Sequence, residues 1–306
     1  GLELIEAIRG GNSDVPIIIL TGNSQISVAI SALDKGANDY LLKDENIQDT
    51  ISISVSKVLE KHHLKLKNIQ LMESLAQKNR AMEKEQVLAS KVQANILPIK
   101  LQLAGFQTGI YYQPSNQIGG DFFDALEKEK SIHFLIGDIS GHSTSSALVM
   151  AVCNGMFRSL GQTMDNPLEI VTAANRMLCQ MLMDSGMFLT LAYMTLDREN
   201  NVLRVVSAGH NPVYLFNCGD IQEIESTGPV LGWDPDDDWE TLEFPFQPGS
   251  TLFLYTDGLV EAKNSAGEEF ESRLVEFLTR FEAPPAELVT DLLKEVSGFC
   301  GGRFDD

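Results

Sequence analysis

Positive charge is scarce in this sequence. Only 23 lysines and arginines stand against 43 aspartates and glutamates, a formal net charge of −20. A chain with that balance repels phosphate backbones and anionic bilayer surfaces, which argues against nucleic acid or membrane as its partner. Cysteine is nearly as sparse. Cys153, Cys179, Cys218 and Cys300 are scattered, and no two form a CxxC pair. That pattern fits isolated buried thiols in a reducing cytoplasm better than a disulfide framework or a cysteine-based zinc site. No apolar run reaches the ~18 residues needed to cross a bilayer, and no signal-peptide pattern opens the chain. Glycine and proline are wholly missing from residues 47–97, which excludes turns there and invites one long helix.

What is present reads as an ordinary globular composition, 43% apolar and 22% charged over 306 residues, long enough for about two domains. Residues 1–60 alternate between helix and strand. Leu2–Arg9 is a short amphipathic helix. Val15–Leu20 is a β-branched run of the kind that forms a strand buried on both faces. Ser27–Lys35 is helical, Gly36 stops it, and Asp39–Leu42 is a second strand. The segments PIIILTG and GANDYLLK resemble the second half of a response-regulator receiver domain. The resemblance implies Thr21 as switch hydroxyl, Tyr40 as switch aromatic and Lys43 as the phosphate-contacting lysine. Asp44 stands where that family usually has proline. The phosphoacceptor aspartate would lie before Gly1, and an upstream histidine kinase is the implied partner.

Residues 47–97 form the second segment, overlapping the last receiver helix. Good helix formers dominate, and apolar residues recur three and four apart at Val55, Leu59, Leu66 and Ile69, with Met72, Leu75 and Met82 beyond. An uncapped periodic stretch of this length predicts a coiled coil and a homodimer through it. Leu88, Val92, Ile96 and Leu97 form one face, expected to dock on the next domain before Pro98 turns the chain.

Residues 98–306 read as a mixed α+β domain with many short strands. Expected strands include Phe106–Tyr112, a pair around Asp121–Leu126 and Ser131–Ile136, Phe188–Leu196, Leu203–Ala208 and Thr251–Tyr255. Expected helices include Ala147–Leu160, Pro167–Met183 capped by Asn166, Glu268–Phe281 and Pro285–Phe299. Within this domain carboxylates sit beside glycines where strands stop: Asp121 after Gly119 and Gly120, Asp138 after Gly137, Asp257 before Gly258, and the closing pair Asp305 and Asp306. Hard divalent cations take oxygen donors held on rigid elements, and two such ions can activate water toward a phosphoryl group. Asp beside Gly is also plain turn chemistry.

The motifs IGGDFFD, IGDISGH, AGHNP and YTDGLVEA, followed by a closing DD, resemble a PPM-type serine/threonine phosphatase of the SpoIIE branch over about residues 88–306. The resemblance implies a two-sheet sandwich flanked by helices and two Mn²⁺ or Mg²⁺ ions. It implies that Asp138 bridges the ions, that the Ile139 carbonyl holds one, and that Asp121 and Asp257 are further ligands. Asp305 best matches the terminal acid, with Asp306 the alternative. Ser143 replaces the glycine usual after the motif histidine. The implied substrate is a phosphorylated STAS-type anti-sigma-factor antagonist. A non-catalytic adaptor with a phosphatase-like domain is the competing expectation. His142 and His210 are read as structural hydrogen-bonders more than acid–base groups, Ser140 as structural, Arg158 and Arg176 as surface residues, and Asp234–Asp238 as a solvated loop.

Overall fold

The computed structural model describes residues 1–11, 14–22, 26–98, 101–114, 118–141, 144–217, 220–280 and 283–302, apart from the side chain of Ile26. His142, Ser143, Cys218, Asp305 and Asp306 therefore lie outside the described residues. The chain divides into two compact units, Gly1–Glu83 and Lys84–Asp306.

In the first unit α1 (Leu2–Gly10), β1 (Ile18–Thr21), α2 (Ile26–Asp34) and β2 (Asp39–Leu42) follow in order. The strands pair in parallel, Ile18 opposite Asp39 through Thr21 opposite Leu42. Pro16 has no N–H for a ladder, and the Ile17 N–H is taken by the Asn38 side chain at 2.8 Å, so β1 begins only at Ile18. Ile5, Ala32 and Ala37 are buried together against Ile17, Ile19 and Tyr40. The Arg9 guanidinium donates to the Gly36 carbonyl at 2.8 and 3.1 Å, tying α1 to the turn after α2. Burial on both faces of the Val15–Leu20 run is not observed: Val15 is 59% and Leu20 39% exposed. A sheet of two strands has too few neighbours to cover both sides.

The helix α3 runs without a break from Ile47 to Ile96. Ser54 and Val58 are buried near its start, Gln93 at its other end and Leu97 just beyond it. Leu59, Leu66, Ile69, Leu71, Met72, Leu75 and Met82 between them are all more than 40% exposed. The expected docking face is only partly covered, since Leu88 is 65% and Val92 56% exposed.

The second unit is a layered sandwich. Its elements are β3 (Phe122–Glu127), β4 (Ser131–Ile139), α4 (Thr144–Thr163), α5 (Pro167–Leu182), β5 (Leu189–Asp197), β6 (Val202–Ala208), β7 (Val213–Asn217), β8 (Asp220–Ile224), β9 (Leu242–Pro245), β10 (Thr251–Phe253), α6 (Asp257–Val260), α7 (Glu271–Arg280) and α8 (Pro285–Phe299). One antiparallel sheet has the order β3-β4-β5-β6-β9 and a smaller one β10-β7-β8. The period-two alternation of strands sorts the side chains. Leu135, Leu191, Tyr193 and Val206 face α4 and α5, where they meet Met150, Phe157, Ile170 and Leu178. Ile132, Ile136, Ala192, Met194 and Val205 face the other way, onto Val213, Leu215 and Ile224 of the small sheet. Helices α7 and α8 cover the outer side of that sheet through Leu274, Phe277, Leu288 and Val296. Asn166 caps α5 as expected, its side chain accepting the Leu168 N–H at 3.0 Å.

The expected strand Phe106–Tyr112 is not among the strands of the described residues. Local bonds tie its start instead: the Phe106 N–H donates to the Leu103 carbonyl, and the Thr108 hydroxyl to the Leu101 carbonyl at 2.9 Å. Gly109 lies so close to α8 that a Cβ there would sit 2.2 Å from the Pro285 carbonyl oxygen. Strand β9 and the short helix α6 were not anticipated.

Candidate active site

The same alternation that builds the core places the acids. Asp121 and Asp138 fall on the parity that faces the small sheet, whereas Asp124 falls on the parity that faces α4. Asp138 is the last residue but one of β4, and Ile139, fully buried, ends the strand. Gly141 then turns the chain with φ of +87°, a conformation that a Cβ disfavours. The turn is braced. The Ser140 N–H donates to the Phe188 carbonyl, the Phe188 N–H returns a bond to Ser140 Oγ at 2.9 Å, and Ser146 Oγ donates to the Ser140 carbonyl.

Gly120 is wedged into this corner. A Cβ on it would lie 2.5 Å from the Ile139 carbonyl oxygen and 3.1 Å from Asp138 Oδ1. Only a glycine lets the segment before Asp121 approach so closely. Gly119 is gripped in turn by the buried Gln93 of α3, whose amide donates to the Gly119 carbonyl at 2.7 Å and accepts its N–H at 3.2 Å. Asp121 Oδ2 accepts a 2.6 Å bond from Thr256 Oγ1, which brings the first acidic motif to the segment that opens α6. Asp257 is the first residue of that helix. Thus Asp121, Asp138, Gly141, Thr256 and Asp257 all line one cleft of about 1380 Å³.

The donors that line the cleft are carboxylates, with the Ile139 carbonyl against Gly120 at its wall, oxygen chemistry that suits Mg²⁺ or Mn²⁺ rather than zinc or copper. The crowding at Gly120 keeps the Ile139 carbonyl and the Asp138 carboxylate within reach of one another. These residues fit such ions. Among the described residues no three His, Cys, Asp or Glu side chains already converge as a cage, so waters and donors from elsewhere would complete any coordination shell, as Mg²⁺ in particular tolerates. The predicted ligand Asp305 lies outside the described residues.

His210 is 5% exposed, and its Nδ1 lies 2.9 Å from Thr190 Oγ1. Thr190 stands directly opposite Asp138 in the sheet. Burial pushes the imidazole down to about 4, with the Tyr255 main chain acting in the opposite sense. It is therefore neutral near pH 7 and braces the sheet behind Asp138. His133 is similarly buried, with Nδ1 2.9 Å from the Tyr193 hydroxyl.

Arg158 is a surface residue, as expected, with a buried partner. Its guanidinium makes two bonds to Asp124, Nε to Oδ2 at 2.8 Å and Nη2 to Oδ1 at 2.7 Å, and the Asp124 side chain is only 2% exposed. The pair locks α4 to β3, three residues beyond Asp121. In the first unit, the Lys43 N–H donates to the Thr21 carbonyl at 2.8 Å. Thr21 and Lys43 thus meet at the carboxyl ends of the parallel strands, where open α/β sheets bind ligands, and Tyr40 lies on β2 opposite Ile19.

The family profile described as Stage II sporulation protein E (SpoIIE) matches residues 128–306, and the response regulator receiver domain profile matches residues 1–54. Protein IcfG of Synechocystis is 30% identical over 96% of the chain and 50% of its own length. Phosphoserine phosphatase RsbU of Bacillus subtilis is 27% identical over 59% of the chain and 54% of its own length. The chain thus spans about half the length of these curated relatives. Among solved structures, the SiaA-PP2C domain of Pseudomonas aeruginosa superposes with a TM-score of 0.66 at 20% identity, covering 74% of this chain and 94% of that one.

Proposed function

From a chain that belongs to the SpoIIE phosphatase family and carries receiver-domain sequence at its N-terminal end, we propose a response regulator whose output is metal-dependent hydrolysis of phosphoserine or phosphothreonine. The observation that carries the reading is the corner at Gly120, which presses the first motif against Asp138 and the Ile139 carbonyl. Asp138, Asp121, Asp257 and the Ile139 carbonyl are the proposed holders of two Mg²⁺ or Mn²⁺ ions, with Asp305 as a further ligand. Such ions, when bound, supply a water of lowered pKa and neutralise charge on the phosphoryl oxygens. The chain's own part is to fix the acids. Thr256 orients Asp121, the Phe188–Ser140 brace holds the turn after Asp138, and neutral His210 supports Thr190 behind it. No side chain is needed as covalent nucleophile.

The proposed substrate is a phosphorylated STAS-type anti-sigma-factor antagonist, and the proposed input is a histidine kinase acting on the receiver, with Thr21, Tyr40 and Lys43 as its switch and phosphate-contact residues. The exposed apolar positions of α3 support pairing of two copies through that helix. Gln93, which joins α3 to Gly119, offers a direct route from helix to acids. Among the described residues no helix is long and apolar enough to cross a membrane, and a cytoplasmic location is proposed on the composition. The test is hydrolysis of a phosphoserine protein with and without Mn²⁺, beside Asp138→Asn. Metal-dependent turnover lost in the variant supports the phosphatase. No turnover in the native chain, with or without receiver phosphorylation, favours the adaptor.

A further inference from the structure

Trp233 is 70% exposed, although a tryptophan carries more apolar area than almost any other side chain and is normally withdrawn from water. Its backbone is held firmly. Asn175, fully buried on α5, accepts the Gly232 N–H through Oδ1 at 2.8 Å and donates through Nδ2 to the Asp234 carbonyl at 2.7 Å. The residues on either side of Trp233 are therefore stapled to the helix by one amide. The reciprocal bonds between the Leu189 and Leu231 main chains fix the approach to this turn. A flexible loop with a stray aromatic would not need a buried asparagine devoted to it. The fold holds this indole outward at little entropic cost, the property of an anchor residue at a protein interface.

Its position says which interface. The indole packs edge-on against Phe188, ring centroids 6.4 Å apart. Phe188 is the residue whose main chain exchanges two hydrogen bonds with Ser140, directly after the Ile139 carbonyl. Trp233 thus stands one ring away from the turn that follows Asp138. Met183, 69% exposed, follows the end of α5, the helix that carries Asn175. Asp234, Asp236, Asp237 and Asp238 follow Trp233 in sequence. Asp234 and Asp236 form local turn bonds of their own, and the run as a whole is largely exposed.

We infer that Trp233 and the aspartates after it form the docking site for the phosphorylated protein substrate, and that Trp233 is a specificity-determining residue. The inference rests on the phosphatase reading of the cleft and adds to it how a protein substrate is told from a small phosphomonoester. The occupant is a folded phosphoprotein that offers an apolar depression to the indole, flanked by basic side chains that complement the acidic run. Gly141, next to Ser140, lines the cleft, and the phosphoserine of such a partner would enter there.

The experiment is steady-state kinetics in saturating Mn²⁺ on three substrates: a phosphorylated STAS-domain protein, a phosphoserine peptide copied from its phosphorylated segment, and p-nitrophenyl phosphate. The enzymes are the native chain, Trp233→Ala and the double variant Asp236→Asn, Asp237→Asn. Because Trp233 is exposed, its replacement leaves the core intact, which thermal melting checks. The expected result is a fall of about 30-fold in kcat/KM on the phosphoprotein for Trp233→Ala, the loss typical of an interface anchor, with peptide and p-nitrophenyl phosphate unchanged. The double variant lowers kcat/KM on the phosphoprotein alone and flattens its salt dependence. A parallel fall on all three substrates overturns the inference, because Trp233 would then only shape the turn at Ser140. No change on any substrate overturns it, as does a native chain that prefers the phosphoprotein no more than the peptide. A native chain inactive on all three overturns the phosphatase reading and this inference together.

Discussion

Replacing Gly120 by alanine adds a single methyl group at the tightest point of the proposed site. That methyl would sit 2.5 Å from the Ile139 carbonyl oxygen, 3.1 Å from Asp138 Oδ1 and 3.3 Å from Ile139 Cβ. Relaxed carbon–oxygen contacts lie at ~3.3–3.6 Å, so the two segments must part by roughly 0.8–1.1 Å. Overpacking of this kind costs about 1–3 kcal/mol, which for a unit of this size lowers Tm by about 2–12 °C. The larger effect falls on function. The displaced atoms are two proposed ligands, and a misplacement of about 1 Å costs on the order of 10²-fold in rate. The assay is a Mn²⁺ titration of phosphomonoester hydrolysis, paired with a thermal melt. Gly155→Ala is the control: it lies within α4 with nothing within 4 Å of its added Cβ, and the helix should gain about 0.5–1 kcal/mol. The expected outcome is a Gly120→Ala chain with a weakened response to Mn²⁺ and a lower Tm, while Gly155→Ala keeps native activity. Native metal response and native Tm in Gly120→Ala would refute the close approach on which the site is built.

Arg158→Ala strands the buried Asp124 carboxylate. Removing one partner of a fully buried pair costs ~3–5 kcal/mol, and because the Arg158 side chain is 48% exposed the expected loss is smaller, about 2–3 kcal/mol, read as a lower midpoint in urea. A midpoint unchanged from the native chain would show that the pair holds nothing. Acid should also destabilise the fold well before the carboxylates titrate. His210 is lowered from 6.5 to about 4, so between those values the unfolded chain binds the extra proton and stability rises with pH. His133 is lowered by its own burial and acts with the same sign. At about 1.4 kcal/mol per unit, His210 alone removes roughly 2 kcal/mol between pH 6.5 and 5. Melting curves from pH 7.5 to 5 should show a falling Tm and a shallower fall in His210→Asn; a flat profile contradicts the buried neutral imidazole.

Much of the sandwich was legible because burial writes itself into strand periodicity. Ile132–Ile136 and Leu203–Ala208 are apolar on both parities, since one parity meets α4 and α5 and the other meets the small sheet. The Asn166–Pro167 start of α5 was legible from capping chemistry. Phe106–Tyr112 misled because its apolar residues pack singly, Phe106 against Phe246 and Tyr112 against Phe123, without the segment pairing to a strand. Asp121, Asp138 and Asp257 could be picked out by glycine neighbours and motif order, but their convergence depends on contacts distant in sequence. Thr256 reaches Asp121 across 135 positions, and Gln93 reaches Gly119 across 26. Arg158 lies at the surface as its helix position suggests, but its buried partner was not legible, because only the parity of Asp124 in β3 reveals it. Trp233 stood out in neither periodicity nor motif, because its meaning lies in Asn175, a polar residue on a helix 58 positions earlier.

The central claim is that Asp138, Asp121, Asp257 and the Ile139 carbonyl hold divalent ions. Calorimetric titration of Mn²⁺ into the metal-stripped native chain and into Asp138→Asn measures this without reference to any substrate. The account predicts that the native chain binds two ions and that the variant, with its fold intact by melting, loses at least one of them. Equal stoichiometry and affinity in the two chains would contradict it.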